Sequence, residues 1–277
     1  MQVNGVDLCV ETFGSPTDPA ILLVMGAGAS MDWWEDDLCA RLAAGPRYVI
    51  RYDHRDTGGS TSYPPGEPGY TGDDLVADAA ALIALLGMGR AHVVGQSAGG
   101  ALAQVLALDH PERVASLTLV ATSPSGSDPD LPPMTDEASA AFAAIAEPDW
   151  SDRAAVIDYL TEQWRASVSR SQPFDEEGTR SLCARVVDRT TNMESSMKNA
   201  YAAEGGDRWR ERLGGLEVPT LVVHGTEDPL FPLGHGEALA REIPGAELLA
   251  LEAGGHELAR RDWVVVVPAI LAHTSRR

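Results

Sequence analysis

Two rhythms alternate along the chain. Short runs such as A-I-L-L-V-M, Ala20 to Met25, are almost continuous in apolar residues, as a strand buried on both faces must be. Between such runs lie longer stretches whose apolar residues recur at steps of one, three and four, which places them on one face of a helix. From about Gly72 to Leu86 that stripe consists of Leu75, Val76, Ala79, Leu82, Ile83 and Leu86, with Gly87 and Gly89 ending it. Strands alternating with helices in this way predict the α/β class, a mostly parallel sheet covered on both faces.

The same pattern predicts an opening hairpin turning at Gly5, with Gln2 to Val3 against Val6 to Thr12, and a strand at Tyr48 to Tyr52. A strand at Ala91 to Val94, a helix from about Ala98 to His110 and a strand at Ser116 to Thr122 form a second βαβ unit. From about Ser123 to Leu216 the strand signal vanishes. Breaks rich in Pro, Ser and Asp there separate helical stretches near Glu137 to Ala146, Ser151 to Ser169, Asp175 to Arg189 and Met193 to Ala203. The expectation is a helical lid over residues 123–216, inserted into a core made of residues 1–122 and 217–277. The α/β rhythm resumes with a strand at Thr220 to His224, a helix near Gly234 to Ile243, a strand at Glu247 to Leu251 and a helix near Trp263 to His273.

Charge narrows the partners. Among 277 residues, 21 Lys and Arg stand against 41 Asp and Glu, a formal net charge of −20 with histidine neutral. Nucleic acid needs clustered cations to neutralise phosphates, and anionic membrane surfaces need them too, so neither is expected as a partner. Cys9, Cys39 and Cys183 are odd in number and show no C-x-x-C pairing, which speaks for free thiols in a reducing compartment, most simply as small core residues. No run of 18 apolar residues occurs, and the first ten residues lack a basic segment followed by an apolar one. The expectation is a soluble cytoplasmic protein, with the oligomeric state left open.

Candidate chemistry centres on V-V-G-Q-S-A-G-G, where a strand delivers Gly95-Gln96-Ser97-Ala98-Gly99 and a helix begins at once. A turn this sharp strains its central residue and brings neighbouring chains close, hence the small residues around Ser97. It would lift Ser97 Oγ over a helix N-terminus, where amides and the helix dipole favour developing negative charge. A serine needs a base, and the order Ser, Asp/Glu, His is completed downstream. The loop G-T-E-D-P-L-F-P offers Asp228, with Glu227 as the alternative acid, and the glycine-rich loop E-A-G-G-H-E-L offers His256. His92, His110, His224 and His273 are read as structural and His235 as a solvated helix start. Oxyanion donors are expected from the Ala98 amide and from the loop V-M-G-A-G-A-S around Gly26, Ala27 and Gly28. Met25, Gly26, Trp33 and Trp34 are candidate walls of an apolar substrate pocket, with the lid aromatics Trp150, Tyr159, Trp164, Tyr201 and Trp209 as further possibilities. No phosphate loop, dinucleotide fingerprint or H-E-x-x-H spacing is present, so neither cofactor nor metal is expected.

As a set these residues resemble the α/β-hydrolase fold superfamily over nearly the whole chain. The resemblance rests on M-G-A-G at Met25 to Gly28, D-H-R-D-T-G-G-S at Asp53 to Ser60, the G-Q-S-A-G elbow, H-G-T-E-D-P-L-F-P at His224 to Pro232 and G-G-H at 254–256. Within it, V-M-G-A, R-Y-D-H-R-D-T-G-x-S and I-L-A-H-T are similar to the aclacinomycin methylesterase group of polyketide-tailoring esterases. That likeness implies Ser97, Asp228 and His256 as triad, Ala27 and Ala98 as oxyanion donors, a structural role for the Asp53 to Ser60 run, and an apolar small-molecule ester as substrate. Carbon–carbon bond hydrolases and cofactor-free perhydrolases keep the same triad, and a ligand-binding protein of the same fold is the reading from a different class. Met25 departs from the His common in relatives, and Ala27 from the more usual Gly.

Overall fold

The computed structural model describes residues 1–125, 128–205 and 209–275. Its strands are β1 (Gln2–Val3), β2 (Val6–Asp7), β3 (Val10–Phe13), β4 (Ala20–Val24), β5 (Tyr48–Tyr52), β6 (Ala91–Gln96), β7 (Val114–Val120), β8 (Thr220–Gly225) and β9 (Glu247–Leu251). Its α-helices are α1 (Asp36–Ala44), α2 (Gly72–Leu85), α3 (Ala98–Asp109), α4 (Asp136–Ala144), α5 (Arg153–Ser167), α6 (Glu176–Arg189), α7 (Met193–Ala202), α8 (Gly234–Glu242) and α9 (Trp263–His273).

Seven strands form one sheet in the order β3-β5-β4-β6-β7-β8-β9, parallel throughout except for β3, which runs antiparallel to β5 at the edge. The pleat of β4 explains why it reads as a continuous apolar run. Ala20, Leu22 and Val24 face one core, and Ile21 and Leu23 face the other. On the first side lie α2, α3 and α8, through residues such as Val76, Leu82, Ala103, Leu106 and Leu239. On the second lie α1 and α9, through Leu38, Leu42, Trp263, Val266 and Ile270. Each fully buried Leu or Ile contributes about 1.5–3 kcal/mol by its removal from water, so a two-sided strand is worth more than an amphipathic one.

Between β7 and β8 the chain places α4–α7, of which α5, α6 and α7 share a third, smaller core of Val156, Ile157, Leu160, Cys183, Val186 and Met193. Their starts follow the sequence logic of capping. Thr135, Asp152, Asp175 and Asn192 each accept a backbone N–H of the first turn of α4, α5, α6 and α7 respectively. Thr71 and Asp74 form a reciprocal capping box that starts α2.

The structure departs from the sequence expectation in three places. The second arm of the opening hairpin breaks after Asp7: β1 and β2 form their own ribbon, while β3 joins the main sheet. Helix α1 was not anticipated. Cys9 is only partly buried, whereas Cys39 and Cys183 are core residues, and all three are free thiols. No helix among the described residues is long and apolar enough to cross a membrane.

Candidate active site

Strand β6 leads into α3 through Ser97 alone, and Ser97 sits at φ 54°, ψ −124°. A side chain in that region costs on the order of 1–3 kcal/mol and persists only where its surroundings hold it. Here they do. Ser97 N–H donates to the Val120 carbonyl at 3.0 Å, the Ser97 carbonyl accepts Gly100 N–H at 2.9 Å, and Thr122 Oγ1 donates to that carbonyl at 2.6 Å. The flanking glycines are dictated by space. A Cβ on Gly95 would fall 2.3 Å from the Gly99 carbonyl oxygen, and one on Gly99 would fall 2.3 Å from that of Val24.

The loop after β4 passes directly over this elbow, since a Cβ on Gly26 would stand 3.2 Å from Ser97 Cβ and 3.7 Å from its Oγ. Ala27 therefore lies beside Ser97, and the Ala98 amide opens α3, where a first-turn N–H has no intrahelical acceptor.

Asp228 and His256 arrive from the loops after β8 and β9. His256 Nδ1 and Asp228 Oδ2 are 2.9 Å apart with both side chains buried, so a neutral His256 donates Nδ1–H and keeps Nε2 as a base. Asp228 Oδ1 also accepts the Leu230 and Phe231 N–H groups, each at 2.9 Å, which fixes the carboxylate in place. Burial alone would lower the His256 pKa. The Asp228 carboxylate, by charge and hydrogen bond, with help from Glu257, overrides it and leaves His256 above the ordinary histidine value. Burial pushes Asp228 the other way, but His256 and His224 hold it below its ordinary value. Glu227 does not reach His256, because its Oε2 accepts Ser169 Oγ and Ser171 Oγ, each at 2.6 Å.

Ser97 and His256 line one cavity of about 150 Å³, roofed by α5, α6 and α7 through Leu160, Trp164, Val186, Met193 and Met197. Met25, Gly26, Ala27 and Trp33 are on its wall, as the sequence suggests, and the Trp33 ring stacks on Trp164 with centroids 4.2 Å apart. Trp34 corrects the expectation. It is 1% exposed and packs in the core among α1 and α9, so it is no wall of the cavity. Of the lid aromatics, Trp164 and Tyr201 line the cavity, while Trp150 meets Tyr159 edge to face beside the small helical core.

Three of the other histidines are held by hydrogen bonds. His224 Nε2 donates to the Phe231 carbonyl at 2.7 Å, bracing the Asp228 loop, and His92 Nδ1 lies 2.8 Å from Ser116 Oγ. His235 is not solvated but buried, bonded to Ser123 Oγ and the Pro132 carbonyl. The Asp53 to Ser60 run is scaffolding: Arg55 makes a two-point pair with buried Asp78 at 2.7 and 2.9 Å. Sequence reading missed Glu257, which burial pushes up to about 7 and whose charge acts on His256. It is simply the residue after His256. Among the described residues no cluster of His, Cys, Asp or Glu is placed to hold a metal ion.

A model of the alpha/beta hydrolase fold matches residues 19–259. The chain is 30% identical over 284 residues to a rhodomycin D methylesterase of Streptomyces sp. (strain C5), covering 97% of this chain and 95% of that protein. It is 32% identical over 285 residues, with the same coverage, to the rhodomycin D methylesterase of Streptomyces peucetius. Among solved structures, an esterase from Exiguobacterium antarcticum superposes with a TM-score of 0.79 at 22% identity, covering 99% of this chain and 97% of that one. With that match over most of its length, the chain belongs to the alpha/beta hydrolase fold family.

Proposed function

We propose that the protein is a cofactor-free serine hydrolase that cleaves a carboxylic ester through an acyl-enzyme. The observation that carries this reading is a strained elbow serine sharing a cavity with a histidine whose far nitrogen is bonded to a buried aspartate. In the proposed mechanism His256 Nε2 takes the Ser97 hydroxyl proton as Oγ attacks the ester carbon, and the oxyanion forms against the amides of Ala27 and Ala98. Asp228 stabilises the resulting imidazolium and keeps its tautomer. The imidazolium then gives the proton to the departing alcohol oxygen. Water, deprotonated by the same Nε2, attacks the acyl-enzyme, and the returning proton restores Ser97. Helices α4–α7 act as the lid that shields this cavity from bulk water.

For the substrate, we infer the methyl ester of an apolar, polyketide-like acid. The two similar proteins named as rhodomycin D methylesterases support that choice. The acidic chain disfavours strongly anionic substrates. Intact-mass spectrometry after a fluorophosphonate probe tests the mechanism. A single adduct on the wild type, absent from Ser97→Ala, together with ester turnover, is the expected result. A folded wild type that neither labels nor turns over esters would make it a binding protein instead.

A further inference from the structure

Helix α7 has two working faces. Met193, Met197 and Tyr201, spaced by four, line the cavity that holds Ser97 and His256. Ser196, Ala200 and Ala203, spaced by four and three, line a second cavity of about 220 Å³ on the other side. The two cavities share Met25, Gly26, Ala27 and Gly28 as a common wall, and Ala98 lines the second. The partition is pinned at one point: Ser196 Oγ donates to the Gly28 carbonyl at 2.9 Å, and Gly28 sits at φ +67°, where a Cβ would stand 3.1 Å from the Ser196 carbonyl oxygen.

The second cavity is lined by Leu75 and Val76 of α2, Ala101 and Leu102 of α3, Ala200, and Trp209. Most of its interior polar groups are occupied, His54 Nδ1 being the one buried lining side-chain atom without a partner among the described residues. Arg55 is held by Asp78, Trp209 Nε1 donates to Gln104 Oε1 at 3.1 Å, and His54 Nε2 donates to the Met25 carbonyl at 3.1 Å. The carboxylates that reach it, Asp73 and Glu204, are on exposed residues. An anionic group would be repelled there, and a neutral apolar one accepted.

Resting on the serine-hydrolase reading above, we propose that this second cavity is the acyl subsite, which takes an uncharged apolar ring or chain attached to the ester carbonyl. Size supports it: neither cavity reaches the roughly 300–1,000 Å³ of an ordinary small-molecule site, whereas the two together do. Direction supports it as well. His256 delivers its proton to the leaving oxygen, so the alcohol side lies in the cavity that His256 lines. The acyl side then extends past Ala27 and Ala98 into the cavity that His256 does not line.

The test is a comparison of p-nitrophenyl decanoate with p-nitrophenyl acetate on the wild type, Ala200→Phe and Ala101→Leu. Ala200 and Ala101 lie on different helices, and each larger side chain fills the second cavity. The ratio of kcat/KM for decanoate over acetate is expected to fall at least tenfold in each folded variant; an unchanged ratio in either overturns the proposal. A second measurement does not depend on catalysis. Calorimetry with 2-naphthol on Ser97→Ala should show binding that weakens at least tenfold when Ala200→Phe is added. Failure of naphthol to bind, or binding indifferent to Ala200→Phe, overturns the subsite. A wild type inert to every ester but with this binding pattern would overturn the hydrolase reading and leave the subsite standing.

Discussion

Arg189, near the end of α6, closes on the fully buried carboxylate of Asp53 with Nη2 and Oδ1 2.7 Å apart, across 136 residues of sequence. The same guanidinium reaches Asp32, whose Oδ2 lies 2.7 Å from Nε and which also accepts Ser30 Oγ. Asp53 in turn accepts Met31 N–H at 2.8 Å and Gly59 N–H at 3.0 Å. One cation thus ties the helices over the cavity to the loop that carries Trp33 and to the run after β5.

Removing that cation leaves buried Asp53 without its counter-charge and Asp32 with only Arg185 at 3.5 Å, and breaking such a buried pair costs about 3–5 kcal/mol. Arg189→Leu should therefore lower the melting temperature by roughly 6 °C or more, at about 2–4 °C per kcal/mol for a chain of this size. The exposed pair of Arg153 with Asp188 is the control. Arg153→Ala should leave the melting temperature unchanged within error, because solvent-exposed pairs contribute little. Differential scanning calorimetry on the two variants reads both outcomes, and equal shifts would sink the idea of a clamp.

The choice between two adjacent acids gives a second prediction. Asp228 holds His256 Nδ1, whereas Glu227 holds two serine hydroxyls at the edge of the site. Asp228→Asn should lower kcat by orders of magnitude, since an amide no longer stabilises the imidazolium or enforces the right tautomer. Glu227→Gln should lose less than tenfold. Steady-state turnover of a p-nitrophenyl ester decides it, and the reverse ranking would move the acid to Glu227.

Much of this site was legible beforehand because its signals are local. A buried parallel strand announces itself as an unbroken apolar run, as in β4, and the elbow requires small residues at 95, 99 and 100 that sit close together in the chain. What escaped is what tertiary packing decides. Helix α1 is nine residues long and buries only Leu38, Cys39 and Leu42, too few turns to display a period. Trp33 and Trp34 are neighbours with opposite fates, one stacked on Trp164 at the cavity and one in the core, because the chain turns between them. The second cavity exists only where α2, α3 and α7 meet, so no single segment encodes it.

A third prediction concerns pH. In the proposed mechanism His256 must be neutral to accept the serine proton, and its pKa is raised above 6.5 because Asp228 and Glu257 favour the cation against the pull of burial. The acid limb of kcat/KM should therefore have its midpoint above pH 6.5, with activity rising as pH rises through it. In Asp228→Asn burial is left with less opposition, so the limb of the residual activity should move to lower pH. Glu257→Gln should move it the same way by a smaller amount without abolishing turnover. A limb that stays in place in both variants would show that some other group titrates.

The elbow predicts an inverted response to glycine. Elsewhere glycine weakens a fold by about 0.5–1 kcal/mol, because the unfolded chain gains freedom. At Ser97 the native φ of 54° already strains any residue with a Cβ, by about 1–3 kcal/mol. Ser97→Gly relieves that strain and Ser97→Ala keeps it, while both remove the hydroxyl. Both variants should be inactive toward esters and toward the fluorophosphonate probe. In urea unfolding, Ser97→Gly should come out more stable than Ser97→Ala by about 1 kcal/mol, the difference between strain released and entropy lost. If Ser97→Ala were the more stable of the two, the elbow would hold no strain, and the serine's backbone would owe nothing to the chemistry it is placed to perform.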